Sequence, residues 1–174
     1  MKQNHFSEIK TKRLLLRKLK NSDWKMISYL RSDKKVNEFV KRPGAESKEK
    51  ALEFISKTNN SIDNRNLYYW VISEKNNSEM IGSICLWNFS EDQKTAEVGY
   101  DLSAEFQRKG IMDESLKSVL QFGFKKLDLD LIEAYTHHNN ESSKKLLERN
   151  GFILVRDKKD KHNQDNLIYE IINE

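Results

Sequence analysis

Hydrophobic residues recur along the chain at two spacings, and each spacing predicts a different kind of element. Short apolar runs rich in aromatic and β-branched residues predict strands, whereas apolar residues three and four positions apart predict one face of a helix. Seven strands are predicted by these criteria, at residues 13–19, 67–73, 80–89, 95–102, 128–136, 152–156 and 167–172. Four helices are predicted, after the Asn21-Ser22-Asp23 cap, from about Glu46 or Ser47, after Gly110, and after Asn139-Asn140.

The order of these elements predicts an α/β fold. Short polar turns at 75–78 and 90–93 join three consecutive strands, which predicts an antiparallel meander. The remaining strands alternate with helices. We therefore predict a mixed, largely antiparallel central sheet of about seven strands, flanked by four helices that lie on both of its faces.

Length and composition narrow the class of protein. The chain has 174 residues, of which 37% are hydrophobic and 33% charged, which predicts a single folded domain spanning residues 1–174. One proline and six glycines leave no linker-like stretch. The formal net charge is +4, and the 31 basic and 27 acidic residues are interspersed. Because no basic tail or block stands out, we expect no nucleic-acid partner and only a modest preference for anions.

The single cysteine and the polarity of the N-terminus exclude further classes. Cys85 cannot form an intrachain disulfide, and its place in the apolar run 81–87 predicts a buried strand residue and not a nucleophile. Residues 1–12 contain no apolar signal segment, and no run approaches the roughly 20 apolar residues that a membrane helix needs. We therefore expect a cytoplasmic protein without a membrane partner.

A basic turn precedes the third predicted helix and is suited to binding an anion. Arg108, Lys109 and Gly110 stand directly before that helix. The first amides of a helix lack internal acceptors and carry partial positive charge, and glycine lets a ligand approach the backbone closely. Neither the P-loop pattern nor the dinucleotide pattern is present. Taken alone, the segment fits a phosphate site and an ordinary exposed basic loop equally well.

Three segments in order resemble the GNAT superfamily of N-acetyltransferases. They are residues 97–102, 106–112 and 140–152, and residues 11–17 resemble the first strand of its ribosomal-protein N-terminal (Rim type) acetyltransferase branch. The resemblance covers about residues 10–170. It implies the GNAT fold, in which the sheet splays between the fourth and fifth predicted strands. It also implies an acyltransferase that uses acetyl-CoA as co-substrate and transfers acetyl directly to a primary amine.

The resemblance also implies where acetyl-CoA binds. The pyrophosphate is expected on the backbone of the basic turn, and the pantetheine arm in the splay, beside the backbone of Tyr100 to Leu102. Met112 stands where the family usually has glycine or alanine, but its backbone amide remains available. The implied cofactor-binding residues are Tyr100, Asp101, Leu102, Gln107, Arg108, Lys109, Gly110, Ile111, Met112, Asp113, Asn140 and Ser143.

Two side chains are candidates for moving protons during acetyl transfer. The reaction needs a neutral amine and a proton for the departing thiolate. The resemblance makes Glu97 the candidate base, with a merely structural carboxylate as the alternative. Leu147 stands where many members of the family have tyrosine, so Ser143 is the candidate acid, and a local helix cap is its alternative. Tyr100, Tyr135 and His138 are further candidates.

No metal site is expected, because His137 and His138 are adjacent and have no carboxylate or cysteine near them in sequence at ligand spacing.

The acceptor amine has several possible identities. The branch resemblance favours the N-terminal α-amino group of a ribosomal or other protein. The alternatives are a small-molecule amine (polyamine, amino acid, drug or amino sugar) and a non-catalytic coenzyme A-binding module. Trp87, Asn88 and residues 90–94 are expected to border the acceptor cleft, with residues 40–46 as its other wall. An acidic cleft would favour a cationic small molecule. Monomer and homodimer are both compatible with the sequence.

Overall fold

Residues 6–174, described by a computed structural model, form one open eight-stranded sheet with four α-helices. The strands are β1 (Ile9–Lys10), β2 (Leu14–Arg17), β3 (Tyr68–Glu74), β4 (Asn77–Trp87), β5 (Thr95–Leu102), β6 (Leu131–His137), β7 (Ile153–Leu154) and β8 (Asn166–Ile172). The helices are α1 (Trp24–Ser32), α2 (Lys48–Asp63), α3 (Ile111–Lys126) and α4 (Glu141–Arg149). None of these helices is long and apolar enough to cross a membrane.

The sheet has the order β1-β2-β3-β4-β5-β6-β8-β7, and only the β5/β6 pair is parallel. The mixed, largely antiparallel sheet and its four helices are therefore as predicted. The prediction missed β1, which pairs Ile9 with Leu16. Its two residues are too few to form a pattern, and β2 supplies their partner.

Local chemistry sets the helix starts that the sequence pattern located. Ser47 caps α2, because its hydroxyl accepts a hydrogen bond from the Lys50 amide at 3.2 Å. Asp23 lies in a short 3₁₀ turn before α1, where its carboxylate accepts from the Lys20 amide at 2.8 Å. The same carboxylate forms a buried ion pair with Arg17 at 2.7 Å, so this turn is fastened to β2.

Each face of the sheet carries its own apolar core. Helices α3 and α4 pack on one face, where residues such as Leu116 and Leu147 meet Leu86 and Val98. Helices α1 and α2 pack on the other face, where Ile27 belongs to a second buried cluster. Helices thus cover both faces, as predicted, and β5 is in the middle of the sheet with a helical layer on each side.

The two parallel strands at the centre separate part of the way along. Pairing between β5 and β6 joins 95–98 to 131–134 and stops at Val98 and Ala134. Beyond that point β5 stays paired to β4, and β6 stays paired to β8. The predicted splay is therefore present. We call the space beyond Val98 and Ala134 the β5–β6 opening.

Candidate active site

The backbone of β5 presents unpaired polar groups to the β5–β6 opening. The Ser103 amide donates to the Ile81 carbonyl at 2.9 Å, so these opposed residues form a hydrogen-bonded pair of the β4/β5 ladder. Such pairs alternate along antiparallel strands, so the backbone of Asp101 also faces β4. The backbone groups of Tyr100 and Leu102 consequently point away from β4, into the opening. Two of the three predicted backbone partners of pantetheine are therefore oriented to bind a ligand there.

One of these groups is already engaged. The side-chain amide of Gln107 donates to the Leu102 carbonyl at 3.1 Å, so this predicted cofactor-binding side chain folds back from the basic turn onto β5. The Leu102 amide has no such partner within residues 6–174. Gln107 thus fixes the end of β5 relative to the turn, and the Leu102 N–H stays available to a carbonyl oxygen in the opening.

The basic turn, residues 107–112, leads into α3 with its amides free. Gly110 is the N-cap with φ +73°, and Arg108 also has a left-handed backbone with φ +62°. The first backbone bond of the helix runs from the Glu114 amide to the Gly110 carbonyl at 3.1 Å. Within residues 6–174, no carbonyl accepts from the amides of 108–113. This row of donors at a helix N-terminus has the form that binds phosphate groups.

The charged side chains of the turn divide into two kinds. Those of Arg108 and Lys109 are exposed and free to approach an anion, although the Lys109 ammonium also lies 5.2 Å from the Phe106 ring centre. The Asp113 carboxylate instead binds Lys117 at 2.7 Å and Arg149 at 3.0 Å. The hydrogen bond from Lys117 is the largest influence that lowers the Asp113 pKa, to about 2. Asp113 therefore braces α3 against α4, and only its amide faces the turn.

A brace behind the turn was not predicted from the sequence. Arg13 on the approach to β2 donates to the Lys109 carbonyl at 2.9 Å and pairs with Glu114 at 2.7 Å. Thr11 also donates to Glu114, at 2.5 Å. These contacts join residues about a hundred positions apart, so no local pattern could reveal them. They fix the orientation of the turn relative to the sheet edge.

Asn140, Ser143 and Tyr100 meet on the α4 side of the opening. The Asn140 side chain caps α4 by accepting from the Ser143 amide at 3.1 Å, while its amino group has no partner within residues 6–174. The Tyr100 and Ser143 hydroxyls are 2.7 Å apart, and Ser143 is buried. Two side chains that the sequence offered as separate candidate acids therefore form one hydrogen-bonded pair across the opening.

Both hydroxyls of that pair carry protons at neutral pH. Burial raises the pKa of Tyr100 to about 12, although the hydrogen bond to Ser143 opposes this rise. Leu147, where the family often has tyrosine, is fully buried in the core. The Tyr100–Ser143 pair is thus a protonated donor next to the predicted pantetheine path. Tyr135 and His138, the other candidate acids, lie on β6 and just after it.

Glu97 lies on the opposite face of β5, near the inner end of the opening. Desolvation is the largest cause that raises its pKa, to about 7, and the carboxylates of Glu133 and Asp160 add to this, whereas a hydrogen bond from Asn88 lowers it. The side-chain amide of Asn88 donates to the Glu97 carboxylate at 3.5 Å. A carboxylate with a near-neutral pKa is half-protonated at working pH, which suits a general base.

The predicted walls of the acceptor cleft lie on this second face. Trp87 is directly opposite Glu97 in the β4/β5 ladder and is 44% exposed. A Cβ on Gly99 would lie 3.6 Å from the Trp87 indole nitrogen, so the bare glycine leaves room beside the indole ring. Val40, on the loop between α1 and α2, is likewise exposed. We call the face that carries Trp87, Glu97 and Glu133 the acceptor face.

Asp101 anchors the α1–α2 loop, residues 33–47, to the end of β5. Its carboxylate pairs with Arg42 at 2.9 Å and accepts from the Ser83 hydroxyl at 2.6 Å. Arg42 in turn donates to the Leu30 carbonyl and to the Asn37 side chain, both at 2.8 Å. Since the Asp101 backbone faces β4, both its backbone and its side chain are engaged away from the opening. The sequence offered no sign of this link.

Three potential metal ligands lie close together at the end of β6. The fold brings Asp165 to the adjacent His137 and His138, with ligand atoms within 4.8 Å of one another, although Asp165 is distant from the two histidines in sequence. Nδ1 of His137 accepts a hydrogen bond from the Asn139 amide at 3.0 Å. In a neutral ring the proton is then on Nε2, the atom that faces Asp165, which disfavours metal binding. The absence of a metal site remains a prediction.

Two other features are separate from this site. Burial raises the pKa of the Cys85 thiol to about 12, which fits the structural role predicted for it. A surface cavity of about 1070 Å³ lies between residues 6–10, the end of α2 and the end of α3, and none of the predicted site residues lines it. This cavity is therefore separate from the candidate site.

Comparison with known families agrees with this geometry. The model for the acetyltransferase (GNAT) domain matches residues 13–153, most of the chain. The chain therefore belongs to the GNAT family of acetyltransferases, and it is an acyltransferase.

Individual relatives extend the similarity over nearly the whole chain. The uncharacterised N-acetyltransferase YoaA of Bacillus subtilis (strain 168) is 29% identical over 147 residues, covering 84% of this chain and 83% of YoaA. The ribosomal-protein-S5-alanine acetyltransferase from Vibrio fischeri is 25% identical with a TM-score of 0.82, covering 96% of this chain and 97% of that one. RimL, a ribosomal L7/L12 α-N-protein acetyltransferase solved with coenzyme A, shares the fold at 20% identity with a TM-score of 0.80, covering 95% and 98%.

Proposed function

We propose that this enzyme transfers acetyl from acetyl-CoA to the N-terminal α-amino group of a protein. The observation that carries the proposal is the β5–β6 opening, which runs from the unpaired amides of the basic turn to Glu97. The V. fischeri relative, named for acting on an alanine of ribosomal protein S5, supports a protein as the acceptor. Acetyl-CoA would supply the acetyl group as an activated thioester.

The residues of the basic turn and the opening fit coenzyme A. The amides of 108–113, with Arg108 and Lys109 beside them, would hold the pyrophosphate. The gap-facing backbone of Tyr100 and Leu102 and the free Asn140 amino group would hold the amide-containing pantetheine arm. We expect the Leu102 amide to hydrogen-bond the acetyl carbonyl oxygen, where negative charge develops during transfer.

Two proton transfers complete the reaction. The acceptor reacts as its neutral amine, whose nitrogen lone pair bonds to the acetyl carbon as the carbon–sulfur bond breaks. Glu97 takes, directly or through one water, the proton that this nitrogen loses as it becomes an amide. Ser143, backed by Tyr100, donates a proton to the departing sulfur and regains one from solvent. Glu97 and Ser143 lie on opposite faces of β5, so the two transfers do not interfere.

Calorimetric titration with acetyl-CoA tests the cofactor site. We expect saturable binding to the wild type and at least a roughly tenfold weaker affinity for Gly110→Trp, whose side chain would block the turn. Gly151→Trp is the matched control, because Gly151 also has a positive φ, of +87°, but lies at the end of α4. Equal affinities for the two folded variants would contradict this site. No binding to the folded wild type would refute the proposed function.

A small cationic amine is the second candidate acceptor, because the acceptor face is acidic. Glu97, Glu133, Glu170 and Asp160 lie on or near it, and Lys158 is the one basic residue paired with them within residues 6–174. Initial rates with a free-amine peptide, its N-acetylated form and spermidine separate the candidates. Activity with the free peptide alone supports the protein acceptor, and activity with spermidine alone supports the small amine. Acetyl-CoA binding without activity on any amine would support a non-catalytic module.

A further inference from the structure

Three glutamates lie side by side across the acceptor face. Glu97 is opposite Glu133 in the β5/β6 pair, and Glu133 is opposite Glu170 in the β6/β8 pair. Residues opposite each other in a sheet project from the same face at short range. Like charges in this position repel each other, so the arrangement needs a compensating cation.

Lys158 supplies that cation, but it pairs with only two of the three glutamates. Its ammonium bonds Glu133 at 3.0 Å and also bonds Glu170, which raises the pKa of the lysine. The second oxygen of Glu133 accepts from the Tyr135 hydroxyl at 3.4 Å. Glu133 is therefore held in place by two partners, whereas Glu97 has no ion pair within residues 6–174. The lysine thus compensates two members of the row and leaves the third unpaired.

Two carboxylates and two neutral side chains are coupled electrostatically to Glu97. Glu133 and Asp160 act on it electrostatically from β6 and from the loop between β7 and β8. Tyr135 and Cys85, from β6 and β4, are coupled to it but carry no charge near pH 7, since burial is the largest cause that raises the pKa of each to about 12. Asp160 is also held in place, by the His162 backbone amide and the Asn166 side-chain amide, both at 2.9 Å. Glu133, however, is the carboxylate directly opposite Glu97 in the sheet, so its charge is the best placed to control protonation of Glu97.

We propose that Glu133, fixed by Lys158, is a positioning residue that sets the pH at which Glu97 can accept a proton from the acceptor. This inference rests on the proposed role of Glu97 as the base. Glu133 touches neither substrate, and it acts only by repelling negative charge on Glu97. Lys158 moderates that repulsion, so a residue of the β7–β8 loop (155–165) adjusts the base from outside the cleft.

Carbon-13 NMR titration of the glutamate carboxyl groups tests the proposal without any acceptor. The Glu97 signal is identified by its loss in Glu97→Gln. We expect Glu133→Gln to lower the Glu97 midpoint by about one pH unit, and Lys158→Met to raise it by about half a unit. Glu133→Asp, which keeps the charge, should stay nearer to the wild type. Glu91→Gln and Lys159→Met are exposed controls of the same chemistry and should leave the midpoint unchanged.

The pH profile of kcat/KM supplies the second readout. Its acidic limb should move down in Glu133→Gln and up in Lys158→Met, by the same amounts as the NMR midpoints. An unmoved midpoint in folded Glu133→Gln overturns the proposal, as does a Lys158→Met shift no larger than that of Lys159→Met. A moved midpoint with an unmoved acidic limb also overturns it, since Glu97 would not be the base. Failure to acetylate any amine refutes the proposed function instead. The NMR titration needs no acceptor, so it still measures in that case whether Glu133 shifts the Glu97 midpoint.

Discussion

The two faces of β5 differ in what they are built from. Toward α3 and α4, the opening offers mainly backbone groups, at Tyr100, Leu102 and the basic turn. Toward α1 and α2, the acceptor face offers side chains from β4, β5, β6 and two loops. A ligand shared by a whole family can be bound by backbone that any sequence supplies, whereas choice among acceptors needs particular side chains. We therefore expect single substitutions to change either the acetyl-CoA affinity or the rate and affinity for the acceptor, but not both.

The largest separation is expected at Glu97. Glu97→Gln removes the proposed base but leaves every backbone donor in place, so we expect kcat/KM near pH 7 to fall about 100-fold or more while the acetyl-CoA affinity stays within about twofold. Steady-state rates and calorimetry measure the two quantities. Exposed Glu91→Gln is the control. A parallel loss of cofactor affinity would show that the two faces are not independent.

A substitution of Ser143 tests the opposite face of β5, toward α3 and α4, in the same way. Ser143→Ala removes the proposed proton donor to the sulfur but keeps the Asn140 cap, so we expect kcat to fall about 10- to 100-fold with little change in acceptor KM. Tyr100→Phe should fall less, and the double variant should be no slower than Ser143→Ala, because the hydroxyls act as one pair. Neighbouring Ser142 is exposed, and Ser142→Ala should match the wild type. Additive losses would mean that the hydroxyls act separately.

Arg42 joins the α1–α2 loop to the end of β5, and its loss should change the acceptor KM more than kcat. Arg42→Met breaks the ion pair with Asp101 and frees the α1–α2 loop from β5. We expect the acceptor KM to rise about fivefold while kcat at saturation changes less, because the loop is the proposed wall of the acceptor cleft and has no proposed role at the reacting sulfur. Lys41→Met, which removes an exposed charge one residue earlier, is the control. An equal effect of the two variants would exclude Arg42 as the anchor.

The same contrast explains what the sequence could predict. The sheet apart from β1, the helices and the basic turn depend on periodicity and on contiguous motifs and were predicted from them, whereas the splay was predicted from the family resemblance. The Arg13–Glu114 brace, the Arg42–Asp101 anchor and the Glu133–Lys158 pair each join residues from separate elements. Such contacts form only after the strands find their partners, so no spacing along the chain encodes them. Ser143 and Tyr100 were each predicted, but only the fold brings the two hydroxyls to 2.7 Å.

The smallest expected effect is on stability, and its sign depends on pH. Because the folded-state pKa of Glu97 is raised to about 7 from an ordinary 4.5, the folded protein binds the proton more tightly than the unfolded chain does. Wild-type stability therefore gains from this group at low pH and loses that gain as the pH rises from about 4.5 through 7.

Glu97→Gln stays neutral throughout, so at pH 8 it should be more stable than the wild type by about 1 kcal/mol, a value reduced for the partial exposure of the carboxylate. At pH 4, where both side chains are uncharged, the difference should nearly vanish. Urea unfolding at the two pH values measures it, with Glu91→Gln as the control. A constant difference would mean that Glu97 ionises normally in the folded state, and the acceptor face would then lack its near-neutral base.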